Sequence, residues 1–395
     1  MAHLQQRMIH SFRACLVVLE LVVPIVLIFG CASTSIEPIS GTTFEPETDE
    51  QPLWSRARKF DKLAQEADVL YGDKALQAYL DRVGRELLQY LGSPGVPIRI
   101  HIYKDPLLNA FAMPNGSVYL NSGLVARTEN EAQLATILAH ELSHYIRRHA
   151  LQEYRVAKNK MTFSLDSSDF ADYLAEVQSS SYSRNLEREA DLDALNAIRL
   201  AGYELSEAPM IFEQLIEEAK EIDQPYYFGS HPLLVERLED ARHYLHLYKD
   251  AHSRDVGYDS DAAYDDMIAD LLLQNAELSF EMGFTQKSLR NLKRHITVRP
   301  DSVEGHLLLG RVHKSRMSDH AHRDAAIAAY NEVVRIDPDN AMGHRELGLM
   351  LRNAQHWDEA SKSLKRYLEL NSNAVDRSII EAYLHDQTMA PGNQP

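Results

Sequence analysis

Residues 131–148 read EAQLATILAHELSHYIRR, and the period of this stretch decides how the first half of the chain folds. Leu134, Ile137, Leu138, Leu142, Tyr145 and Ile146 recur at helical spacing, which predicts one helix over the whole stretch. Thr128-Glu129-Asn130-Glu131 ahead of it has the form of a capping box, with Thr128 as the cap and Glu131 reaching back. On that helix His140 and His144 are four residues apart and project from one face, so both imidazoles can grip one Zn²⁺. Glu141 then lies beside the metal rather than on it, placed to take a proton from a metal-bound water. The plain alternative is a pair of surface histidines on an ordinary helix.

A catalytic zinc takes three protein ligands and leaves a fourth position to water. The third ligand is sought downstream in YSRNLEREAD, residues 182–191. Glu187 and Asp191 are four apart, so a second helix can aim both carboxylates at one site. Glu187 is assigned to the metal. Asp191 is assigned to a supporting role, holding a ligand imidazole by its other ring nitrogen. Read alone, the same stretch is a solvated acidic face with intrahelical pairs to Arg184 and Arg188.

Together these segments resemble the zinc peptidase family of CAAX prenyl proteases and HtpX-like membrane proteases. Further segments carry the likeness in the family's order: Asn109 to Gly116, Val118-Tyr119-Leu120, Gly123-Leu124, then His231-Pro232 and Arg237-Leu238. The likeness covers roughly residues 60 to 250, with Ser143 where many members carry Gly or Ala. It implies a mainly α fold: a gluzincin-type zinc peptidase domain with a small β-sheet, holding one Zn²⁺ per chain. Membrane-bound members span the bilayer between the ligand helices. Here the stretch from Glu153 to Ser181 is polar and cannot do so. The chain is therefore similar to the soluble periplasmic branch, in which the catalytic domain is joined to tetratricopeptide repeats.

The leader points the same way. Arg7 and Arg13 precede an apolar run from Ala14 to Phe29 that ends in Gly30-Cys31, the form of a lipoprotein signal peptide. Residues 1–30 are expected to be removed and Cys31 to carry lipid, with Ala32 favouring release to the outer membrane. Cys15 and Cys31 are the only cysteines, so the mature chain has no disulfide and no thiolate zinc ligand. Residues 31–52 read as a polar tether. A net charge of −17 argues against nucleic acid, which wants clustered basic residues.

From about Asp265 the pattern changes to helical pairs with a period near 34 residues. Ala341 to Ala374 is the clearest unit. One unit earlier Leu309-Gly310 pairs with Ala326, Tyr330 and Val334, with about four extra residues around Met317 to His322. A weaker unit runs from Ala269 to Pro300. Three repeats are near the minimum for stability, so they are expected to dock on the peptidase domain. The expected organisation is leader 1–30, tether 31–52, peptidase domain 53–255, repeats 264–386 and a disordered tail 387–395.

Three further expectations concern the cleft. His231 can reach it from a loop, to meet the oxyanion or to occupy the open zinc position, and Arg184 is a second candidate for the oxyanion. Val118-Tyr119-Leu120 is a candidate edge strand to which an extended substrate adds. Residues 164–181 are a candidate lid, and His149 has a possible role near the site. The resemblance implies a metalloendopeptidase acting on misfolded or stalled envelope proteins, outer-membrane β-barrels included, with the repeats engaging substrate or the outer-membrane assembly machinery. The alternative is a repeat scaffold or chaperone whose zinc site is latent or structural.

Overall fold

A computed structural model of the chain describes residues 36–159, 182–221, 234–249 and 261–388. Cys31, His231 and the candidate lid at 164–181 lie outside the described residues. No described helix is long and apolar enough to cross a membrane.

The first half of the chain opens with α1 (Gln51–Glu66) and α2 (Lys74–Tyr90). Asp73 starts α2 by accepting from the Leu76 N–H at 2.8 Å. Three short strands follow: β1 (Arg99–Tyr103), β2 (Ala110–Ala112) and β3 (Ser117–Asn121). Their order is β1-β3-β2, with β1 parallel and β2 antiparallel to β3. Strand β3 is therefore central and buried along its whole length. This corrects the expectation that Val118-Tyr119-Leu120 offers an edge to substrate: both of its edges are already paired, and the outer strands are β1 and β2.

One face of β3 puts Val118 and Leu120 into the main apolar core with Ile100, Leu80 and Leu142. The other presents Tyr119, packed edge-on to Phe60 and stacked on Phe111, each at 5.1 Å. Asp61 of α1 accepts from Tyr119 Oη (2.7 Å), Ser117 Oγ (2.9 Å) and Asn115 Nδ2 (2.8 Å), which locks the β2–β3 turn to α1.

Among the described residues six further helices belong to this half: α3 (Ser122–Arg127), α4 (Glu131–Ile146), α5 (His149–Asn159), α6 (Arg184–Ala201), α7 (Glu207–Glu221) and α8 (Leu234–Leu247), which packs against α7. Asn130, not Thr128, caps α4, its Oδ1 accepting from the Gln133 N–H at 3.0 Å. Thr128 instead closes α3, donating to Val125 O at 2.7 Å, and Glu131 turns to Arg82 and Tyr203. A second short-chain polar residue two positions on won the capping site. Part of the segment read as a tether is docked: the Ile39 N–H donates to Ile146 O at 2.8 Å, Ile39 is buried, and Glu50 pairs with Arg148 at 2.7 Å.

Beyond α9 (Asp261–Met267) come three antiparallel-type helix pairs, α10 (Ala269–Glu281) with α11 (Thr285–Val298), α12 (Val303–Lys314) with α13 (His320–Ile336), and α14 (Ala341–Asn353) with α15 (Trp357–Leu370), followed by α16 (Arg377–Thr388). Pairing is close in the second and third pairs because the first helix offers a glycine to a large side chain on the second. A Cβ on Gly310 would lie 2.4 Å from the Tyr330 ring, and one on Gly348 would lie 2.6 Å from Leu364 Cγ. The extra residues of the middle unit divide between a longer turn and a 17-residue α13, against 14 residues in α11 and α15.

Candidate metal centre

Helices α4 and α6 pack against each other and bring three ligand atoms together. His140 Nε2 and His144 Nε2 are 3.0 Å apart, and the two oxygens of Glu187 lie 3.6 and 3.5 Å from them respectively. Donors about 2.0–2.1 Å from a tetrahedral zinc sit about 3.3 Å from one another. The observed spacings bracket that value, and two nitrogens plus one carboxylate suit zinc. Among the described residues this is the one such group of His, Cys, Asp and Glu. All three side chains are buried, as is Glu141 beside them.

The surroundings orient each ligand. His140 presents Nδ1 to Asp191 Oδ1 at 2.9 Å, the contact expected of Asp191. Burial works to raise the Asp191 carboxyl, but Arg237 and His140 outweigh it and hold it below the usual carboxylate range. Arg237, on α8, meets that carboxylate with Nη2 at 2.7 Å and Nε at 2.9 Å and stacks over Phe212 at 4.8 Å. His144 presents Nδ1 to Nδ1 of His149 at 2.8 Å, and Nε2 of His149 lies 3.3 Å from Glu189. Tyr182 stacks on the His144 ring, centroids 4.0 Å apart and 15° from parallel. Burial, then Glu141 and Glu187, push the Tyr182 hydroxyl up, so it stays protonated. Ser143 donates to Asp193 at 2.7 Å, and Arg147 grips the same carboxylate at 2.8 and 2.9 Å. The small residue inside the motif thus clasps the two ligand helices together.

A cleft of about 600 Å³, counted together with the solvent space at its mouth, opens at His140 and Glu141. Leu108, Leu124, Ile137, Leu195, Phe212 and Leu215 make it almost wholly apolar. A second, smaller recess lies between His144, Tyr182, Met113 and Pro114. The outer strand β2 runs past both, Ala110 lining the first and Ala112 the second.

Arg184 is not brought to this centre. Its side chain sits at the first turn of α6, is 64% exposed and pairs with Glu236 at 3.1 Å. The guanidinium at the site is that of Arg237, to which sequence reading gave no role. Its signal was legible: Arg237, Leu238, Ala241 and Tyr244 form the buried stripe of α8. A charge on such a stripe requires a buried partner.

The fold and this centre define a metallopeptidase of the H-E-x-x-H class. Residues 74–245 match Peptidase family M48, and this segment is a domain of that family. The chain is 28% identical over 194 residues to the beta-barrel assembly-enhancing protease of Escherichia coli (strain K12), covering 44% of this chain and 39% of that protein. Its likeness to the protein of that name from Yersinia pestis is 28% over 195 residues, 45% and 40% of the two chains. It is also 26% identical over 190 residues to the mitochondrial metalloendopeptidase OMA1 of Schizosaccharomyces pombe, 44% of this chain and 56% of that one. The matches span less than half the length of these bacterial relatives.

Proposed function

We propose that the chain is a zinc metalloendopeptidase of the bacterial cell envelope. It degrades misfolded or stalled envelope proteins, outer-membrane β-barrels among them, and sits at the outer membrane through lipid on Cys31. The observation that carries the reading is the convergence of His140 Nε2, His144 Nε2 and the Glu187 carboxylate at ligand spacing, with Glu141 buried next to them.

His140, His144 and Glu187 would hold the zinc, which would supply Lewis acidity to lower the pKa of water and polarise a scissile carbonyl. Glu141 accepts the proton of the attacking water and returns it to the leaving amine. Asp191 holds His140 in the tautomer that turns Nε2 to the ligand position, and Arg237 holds Asp191. His231 is the candidate to meet the oxyanion. An extended substrate adds to the outer edge of β2, with side chains entering the recesses beside Ala110 and Ala112. The repeats bind substrate or the outer-membrane assembly machinery.

The test compares degradation of an unfolded protein by the zinc-loaded chain and by Glu141→Gln. Turnover is expected to fall by about 10²–10⁴-fold with zinc content unchanged, and a chelator is expected to abolish the remainder until zinc is restored. Cellular function that persists in Glu141→Gln but is lost when the repeat surface around His344 and Arg345 is altered would sink the peptidase reading in favour of a scaffold.

A further inference from the structure

Glu218 is a buried carboxylate on α7, 2% exposed, and three cations converge on it. Lys287 Nζ lies 3.0 Å away, Arg290 Nη2 3.1 Å and Arg127 Nε 2.9 Å. Two of these come from α11, in the first helical repeat; the third ends α3 in the peptidase half. Lys287 is itself buried, and burial lowers its pKa while Glu218 counters the shift. Asp105 and Glu129 are the other acidic groups near these cations.

The position of the knot matters more than its charge. Ile211, Leu215 and Glu218 follow one another at spacings of four and three along α7, so they share a face. The first two line the apolar cavity beside the metal centre. Leu124 and Arg127 are likewise three apart on α3, and Leu124 lines the same cavity. Each of these two wall helices therefore puts a leucine into the cavity and, one turn later, a charge into the knot. The first repeat closes it from outside. The same repeat adds Asn275, 2.9 Å from Ser122 Oγ at the start of α3, and Arg294, which donates to the Thr128 carbonyl at 2.9 Å just before α4.

Buried ion clusters add little net stability over apolar groups of the same volume; their best-attested use is to set register. We propose that Glu218, Lys287, Arg290 and Arg127 are positioning residues for the apolar cavity, which makes the first repeat part of the apparatus that selects the substrate side chain. The inference rests on the reading of that cavity as a substrate subsite.

The experiment uses the full zinc-loaded chain silenced by Glu141→Gln, and a fluorescent peptide carrying a single Phe, compared with its Phe→Gly counterpart. A buried Phe is expected to favour the first peptide by about tenfold or more in binding. Adding Lys287→Met or Glu218→Gln is expected to reduce that preference to about threefold or less, with zinc affinity by chelator competition unchanged. Arg290→Gln, at a partly exposed position, serves if either variant fails to fold. A preference retained in folded variants overturns the proposal, and so does a loss that comes with equal loss of zinc. A chain that binds neither peptide, or both alike, overturns the subsite as well. Binding with discrimination by the silenced chain, but no cleavage once Glu141 is restored, counts against the peptidase reading alone.

Discussion

With Nε2 of His144 turned to the ligand position, its Nδ1 carries the ring proton and donates across 2.8 Å to Nδ1 of His149. The second ring is then an acceptor at Nδ1 and a donor at Nε2, toward Glu189, which Arg147 holds at 3.0 Å. Burial favours the neutral ring that this arrangement needs, with Glu189 pulling the other way. His149→Leu is therefore expected to weaken zinc binding by about 10–100-fold in chelator competition. His149→Asn keeps an acceptor facing His144 and is expected to retain most of the affinity; equal losses in the two variants would remove His149 from the site. The pairing of His140 with His144 was legible in the sequence because four residues on a helix return to one face. His149 could be named there only as a candidate, because five residues on a continuous helix point about 140° away from His144. Arg148, at φ +57°, breaks the helix there and swings His149 back.

At the level of elements, what could be read depended on whether the partner was local. Pro114-Asn115-Gly116 forms the turn that joins β2 to its antiparallel partner β3. Which of them keeps a free edge was decided by β1, which pairs with β3 from outside the hairpin. The repeats were legible because both partners of each contact lie in one 34-residue unit, as with Gly348 and Leu364. Gly348→Ala removes a poor helix former, worth about 1 kcal/mol, but its Cβ would sit 2.6 Å from Leu364 Cγ. Overpacking of this kind costs about 1–3 kcal/mol, so a net loss is expected in urea denaturation. Leu364→Ala alone should cost about 2–5 kcal/mol. Combined, the two should cost clearly less than their sum, since alanine at 348 refills space that the leucine leaves. Strict additivity would mean that the two positions do not share that space.

For the molecule as a whole, the boundary between peptidase and repeats is not a boundary in the core. Tyr264, Ile268, Leu271 and Leu272 belong to the same apolar cluster as Leu138 and Leu142 of α4. Tyr264 also hydrogen-bonds Thr128 at 2.6 Å, two residues before the cap of α4. The period of 34 announced repeats, and their small number suggested docking. Which face docks was not legible, because residues such as Asn275 and Arg294 gain meaning only from the surface they meet. A chain cut after residue 255 loses all four of these side chains, each worth about 1.5–3 kcal/mol when fully buried. That sum rivals the total stability of about 5–15 kcal/mol for a domain. The fragment 36–255 is therefore expected to show no cooperative melting transition and to hold zinc poorly. A fragment extended to residue 300 keeps α9, α10 and α11 on the peptidase half and is expected to melt cooperatively with zinc bound, although below the full chain. Scanning calorimetry with parallel metal analysis separates these outcomes. A cooperative, zinc-retaining transition in 36–255 would show that the repeats are an appended module and that the core ends before Tyr264.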